Sequence, residues 1–185
     1  TDTRALAEMR LATLPDGARV AIDHYGPQVD LSLAALERVG ELRGELRTRE
    51  RMRYELLSAG VLSEAERGVD AVPVEELFQV DEAGDYVVRP GVQSLGETPA
   101  QVLAALGVTH LLLVERRPGA PEPRPLAHLA EGREALWTLS PAPGGGAPAE
   151  AFLPTEMDFP LTGLWTVERP GPWMQLVRLA DPPGG

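Results

Sequence analysis

Apolar positions along this chain change period repeatedly, and each change marks an element. From Thr3 onward Ala5, Leu6, Met9 and Ala12 recur at helical spacing, which predicts a first helix with those residues turned inward. Asp2 or Thr3 is placed to cap it, and Pro15, Asp16 and Gly17 close it with turn chemistry. Ala18 to Asp23 then alternates as a strand, with Val20 and Ile22 on one face and Ala21 on the other. Its end, Asp23-His24-Tyr25-Gly26-Pro27, is expected to form a loop at a strand's carboxyl edge, the usual place for ligands in open α/β sheets.

Between Asp30 and Ala59, Leu33, Leu36, Val39, Leu42 and Leu46 stand three and four apart. The pattern predicts one long helix, or two joined near Gly44. Ser63 and Glu66 have capping-box spacing, and equally suit a polar loop. Ala71 to Arg89 has no clear period; Tyr86-Val87-Val88 is its best strand. Thr98-Pro99-Ala100-Gln101 puts threonine at an N-cap, proline at the first helical position and glutamine where a capping box needs it. Val102, Leu103 and Leu106 should face inward from that helix until Gly107 ends it. The continuous run Thr109 to Glu115 then reads as a strand covered on both faces.

Leu136 to Leu139 is a further candidate strand. Leu164 to Val167 and Trp173 to Leu179 flank Glu168-Arg169-Pro170-Gly171-Pro172, which suggests a closing antiparallel hairpin. Together these elements predict an α/β fold: a small two-layer or three-layer open sheet with flanking helices and a C-terminal antiparallel β-hairpin. A single soluble domain is expected over residues 1–180, with a mobile proline- and glycine-rich stretch at 118–148 and a disordered tail at 181–185.

Composition removes several function classes. The formal net charge of −11 disfavours nucleic acid, whose phosphates need clustered basic residues. All 17 Lys+Arg residues are arginine, the chain lacks asparagine, and Ile22 is its lone isoleucine. This skew fits a GC-rich bacterial genome. With no cysteine, disulfides, thiolate nucleophiles and thiolate-bound zinc are excluded. No stretch reaches the roughly 18 consecutive apolar residues of a membrane span. The sequence starts at Thr1 without methionine, compatible with a piece of a longer chain or one lacking its leading residues.

Candidate chemistry is sparse. Asp23 and His24 at a strand end could act as acid and base or as metal ligands; the plainer expectation is that Asp23 binds the Tyr25-Gly26 backbone and His24 sits on the rim. His110 and His128 are too far apart for a helical metal pair. Glu75, Glu76, Asp81, Glu82 and Asp85 lack the spacing of a calcium loop and read as a solvated face. Ser94 has one residue too many before it for a nucleophile elbow, and Gly144-Gly145-Gly146 lacks the lysine of a phosphate loop. Arg43, Arg47, Arg49, Arg51 and Arg53 could meet lipid phosphates or an acidic partner, or pair with Glu37, Glu41, Glu45 and Glu50 along the helix. Trp165 and Trp173 suit a cross-strand pair better than a sugar platform. No cofactor, metal or catalytic residue is implied.

Taken in order, DTRALAEMRLATLPDGARVAIDHYGP, LGVTHLLLVE and ERPGPWMQLVRL resemble the carboxy-terminal soluble region of bacterial polytopic membrane glycosyltransferases. These are the relatives of protein mannosyltransferases and lipid A aminoarabinose transferases, which use polyprenyl-phosphate sugars. The resemblance implies a non-catalytic domain on the extracytoplasmic face of a bacterial membrane. Such a domain would cover the active-site mouth or help admit a glycan, lipid or protein acceptor, with the membrane-embedded part of the same polypeptide as its partner. Two readings from other classes stand beside it, with a cytoplasmic location if the resemblance fails: a small independent enzyme with a pocket at Asp23 and His24, and a binding module using the Arg43 to Arg53 helix or the tryptophan hairpin; Tyr25, Arg47 and Arg51 are further candidate ligand or interface residues.

Overall fold

A computed structural model of the chain describes residues 2–24, 26–63, 68–82, 85–115, 126–141 and 171–180. At its centre is β1 (Val20–Ile22), a strand with no exposed residue. It runs parallel to β2 (Ala71–Pro73) on one side and to β5 (His110–Glu115) on the other. The sheet continues with β7 (Trp173–Arg178), antiparallel to β5, and ends at β6 (Ala135–Leu139), antiparallel to β7. The order is β2-β1-β5-β7-β6. A separate antiparallel pair, β3 (Phe78–Val80) and β4 (Tyr86–Val88), lies outside that sheet.

Both faces of the sheet are covered, so the architecture has three layers. Val20, Ile22, Leu112, Met174 and Leu176 pack with α1 (Thr3–Leu11) and α2 (Leu33–Arg43). Ala21, Val72, Leu111, Leu113 and Val177 pack with α4 (Pro99–Ala105), the β3-β4 pair and Leu126, which precedes the short α5 (Ala127–Ala130). The alternation of Val20, Ala21 and Ile22 between the two cores is the one expected from sequence. Each fully buried Leu or Val contributes about 1.5–3 kcal/mol relative to exposure, and Val20, Val72, Leu111, Leu112, Leu176 and Val177 of the sheet are of this kind.

Helix boundaries follow local chemistry. Thr98 caps α4 in a capping box with Gln101, with Pro99 at the helix start. The 30–59 region is two helices: α2 stops where Gly44 adopts φ +83°, and α3 (Thr48–Ser58) begins after a short link. The two are joined near Gly44, as the sequence suggests.

Three expectations need correction. The inward face of α1 is Thr3, Ala7 and Leu11, whereas Met9 is 66% exposed. Ala7 and Leu11 pack into the core, and Thr3 on the same face joins a latch in which its Oγ1 donates to the Pro172 carbonyl at 2.9 Å. Second, β2 was not legible as a strand. It is three residues long, ends in Pro73 and occupies the sheet edge, where a missing amide donor is tolerated. Third, the arginines between 43 and 53 do not find their carboxylates along their own helix turns; Asp30 and Glu76 come from outside these helices, and Glu50 of α3 meets Arg43 of α2. The expected strand at Leu164–Val167, the capping pair Ser63 and Glu66, and the 118–148 stretch fall wholly or partly outside the described residues. The described partners of β7 are β5 and β6.

The latch also fixes Gly171. Its φ is +111°, and a Cβ there would stand 2.0 Å from Thr3 Oγ1 and 2.6 Å from Asp2 Oδ1. Gly171→Ala is therefore expected to destabilise the fold by about 1–3 kcal/mol, and Thr3→Val, which removes only a hydrogen bond, by about 1 kcal/mol. Urea denaturation measures both; a Gly171→Ala midpoint matching the parent's would show that the two ends are not locked together.

Candidate functional site

The loop after β1 turns back on its own strand. Gly26 N–H donates to the Asp23 carbonyl at 3.1 Å, and a Cβ at Gly26 would approach Ile22 Cγ2 to 2.4 Å. Only a glycine lets the chain double back this closely. Asp23 continues the parallel ladder, its N–H donating to Leu112 O at 3.0 Å. Its side chain is 9% exposed. Oδ1 accepts from His24 N–H at 2.8 Å and from Tyr86 O–H at 3.0 Å, and the Val114 N–H also donates to the carboxyl group. One carboxylate thus ties the end of β1 to β5 and to β4. Burial pushes the Asp23 carboxyl above the ordinary aspartate range, against the opposing pull of these donors and of His24.

Beside this tie lies an open cleft of about 390 Å³ over the carboxyl ends of β1 and β2. Its lining includes Asp23, His24 and Pro27 from the end of β1 and the loop after it, Arg47, Arg49 and Arg53 from α3 and its N-cap, and Pro73 and Glu75 from the end of β2 and the turn after it. Two regions singled out from sequence thereby meet in one place. Charge in the cleft is mixed. Arg53 donates to Leu31 O at 2.8 Å and stands 3.5 Å from Asp30, and Arg49 meets Asp30 at 3.1 Å. Arg43, outside the cleft, grips Glu76 with two nitrogens and Glu50 with one; these partners hold its guanidinium charged at every accessible pH.

His24 is exposed on the rim, as the plainer expectation has it. The Asp23 side chain is bound by His24 N–H, Tyr86 and Val114, while Gly26 N–H takes its main-chain carbonyl. Tyr25 lies outside the described residues, as do Trp165 and the 144–146 glycines. Trp173 is half-buried at the start of β7 opposite Glu115. A tryptophan not singled out from sequence, Trp137 on β6, packs on the α1 side with the Arg10 guanidinium 5.5 Å from its ring centre. It lies within the candidate strand Leu136 to Leu139, where nothing in the sequence marks it apart from its apolar neighbours.

His110 is buried in β5, with Nδ1 2.7 Å from Thr109 Oγ1, and His128 is exposed on α5. Among the described residues no group of three His, Cys, Asp or Glu side chains could hold a metal ion. Glu75, Asp81, Glu82 and Asp85 are exposed as expected, whereas Glu76 is half-buried against Arg43. Ser94 is exposed in the turn Pro90–Leu95. Comparison with protein-family models, with curated proteins and with solved structures finds no match.

Two titrations of opposite sign are expected. The Asp23 carboxyl is raised in the fold, so its contribution is full below the ordinary aspartate value of about 3.9 and is lost as pH rises through the raised value. Asp23→Asn should therefore gain stability relative to the parent as pH climbs from about 3.9. Burial and Arg178 lower His110, so its contribution is full above the ordinary histidine value of about 6.5 and is lost as pH falls through the lowered value. His110→Gln should gain relative to the parent on acidification below about 6.5. Urea midpoints across pH read both differences; a flat difference at either position would contradict its assignment.

Proposed function

We propose that this chain is a non-catalytic accessory domain of a bacterial membrane glycosyltransferase that uses a polyprenyl-phosphate sugar. On this reading it stands on the extracytoplasmic face, beside the membrane-embedded part of the same polypeptide, and covers the active-site mouth or guides the acceptor. The observation that carries the reading is the meeting of the two outer motifs. Asp2-Thr3, from the opening DTRAL stretch, and Gly171-Pro172, from the closing RPGPW stretch, form one latch. The strands of the opening and central motifs, β1 and β5, are hydrogen-bonded neighbours. Motifs far apart in sequence thus belong to one folding unit, which supports their being a single inherited set rather than three accidents.

A second reading, a small independent enzyme, is favoured by the cleft beside Asp23 and His24 and by the raised Asp23 carboxyl. Against it, three donors already occupy that carboxylate. A group so engaged suits a structural tie better than proton transfer.

The purified chain is expected to be folded and inert when offered a polyprenyl-phosphate sugar with a glycan or lipid acceptor, and the reading frame before Thr1 to encode many apolar helices. Turnover by the isolated chain that disappears in Asp23→Ala would reject the accessory reading in favour of the second. A parent frame without apolar helices would reject the membrane glycosyltransferase itself.

A further inference from the structure

None of the residues of α3 is fully buried, a property it shares among the described helices only with the four-residue α5. Glu50, Arg53, Tyr54 and Leu57 face the protein and are half-buried. The opposite side carries Met52 and Leu56, one turn apart and 60% and 38% exposed, followed by Val61 at 66%. Three of the six exposed large hydrophobic residues among those described therefore cluster on one helix and the turn behind it. Helical spacing places Arg49 and Arg51 on the two flanks of Met52.

The charge of this surface runs against that of the chain. Residues 47–61 hold four arginines and two glutamates, whereas the whole sequence carries −11. Of these, Arg53 and Glu50 turn inward to Leu31, Asp30 and Arg43. Arg47, Arg49 and Arg51 are left outside, with Glu55 as the opposing charge. Arg47 and Arg49 are 70% and 78% exposed, at 3.9 Å from Glu76 and 3.1 Å from Asp30. Exposed pairs of this kind are weak and exchange readily for other anions. Negative charge elsewhere on the chain is screened beyond about 8–10 Å at ordinary ionic strength.

We infer that the outer face of α3 docks on an anionic lipid surface, its arginines on lipid phosphates and Met52, Leu56 and Val61 entering the headgroup layer. A shallow apolar ridge with flanking guanidiniums offers an anionic lipid surface cations for its phosphates and side chains for its headgroup layer. Arginine adds planar, two-pronged recognition of phosphate. An acidic protein would satisfy the arginines but gives no reason for the exposed ridge between them. The inference rests on α3 alone and not on the glycosyltransferase reading: the two fail separately, since the parent reading is judged by turnover and by the preceding reading frame.

Cosedimentation of the full chain with large vesicles tests it. Binding is expected to vesicles containing phosphatidylglycerol, not to pure phosphatidylcholine, and to weaken as salt is raised. Each arginine near such a surface is worth about fivefold in partitioning, so Arg49→Gln with Arg51→Gln should weaken binding about 25-fold. Met52→Ser with Leu56→Ser should also release the chain. Glu55→Gln should strengthen binding, an outcome that damage to the fold cannot mimic. Failure to bind anionic vesicles, equal binding to neutral ones, or indifference to these substitutions would overturn the inference, as would capture by polyglutamate with vesicles ignored.

Discussion

Everything in this fold is arranged around a strand of three residues that has no exposed side. β1 shares ladders with β2 and β5 and contributes Val20 and Ile22 to one core and Ala21 to the other. So short a strand gains little from its own hydrogen bonds, which largely replace bonds to water. Its stability comes from apolar cover on both faces. That requirement accounts for α1 and α2 on one side and for α4 with the β3-β4 pair on the other. It also sends the chain out of β1 over one face and back into β5 over the other, leaving a divergence at the strands' carboxyl ends.

In many open α/β sheets that divergence is where a ligand sits. Here Asp23 fills part of it, and its carboxylate collects donors from β5, β4 and its own loop. Burying a carboxylate is costly unless donors satisfy it, and three do so. The accessible cleft is displaced towards β2 and α3, where arginines and carboxylates already pair with each other. The most suggestive location in the topology is thus occupied by a tie between layers.

Legibility in the sequence followed the range of the interactions concerned. The capping box at Thr98, the helix break at Gly44, the alternation of β1 and the apolar run of β5 are set by residues within a few positions of each other. They could be read directly. The inward face of α1 could not, because it depends on contacts distant in sequence: Ala7 and Leu11 pack with strands of the sheet, and Thr3 bonds to Pro172. β2 escaped because its three residues are strand only by virtue of β1 beside them. At the site, the place of Asp23 and His24 at a strand end was legible, while the partners Tyr86 and Val114 were not. Their contribution depends on which strands become neighbours.

The arginine-rich segment shows the same limit in a functional setting. As sequence it is one basic concentration with interleaved glutamates, open both to pairing along the helix and to an anionic partner. In the fold it divides. Arg43 and Arg53 serve as internal fasteners, joining α2, α3 and the loops around Asp30 and Glu76, whereas Arg49 and Arg51 are left on the outer surface beside Met52. The fasteners hold α3 against the body together with half-buried Tyr54 and Leu57, which pack against the core, and Met52 and Leu56 stay outside. A helix held in this way keeps hydrophobic side chains available at its outer face at no loss to the interior, and that division of labour is what lets one short segment both steady the domain and present a surface.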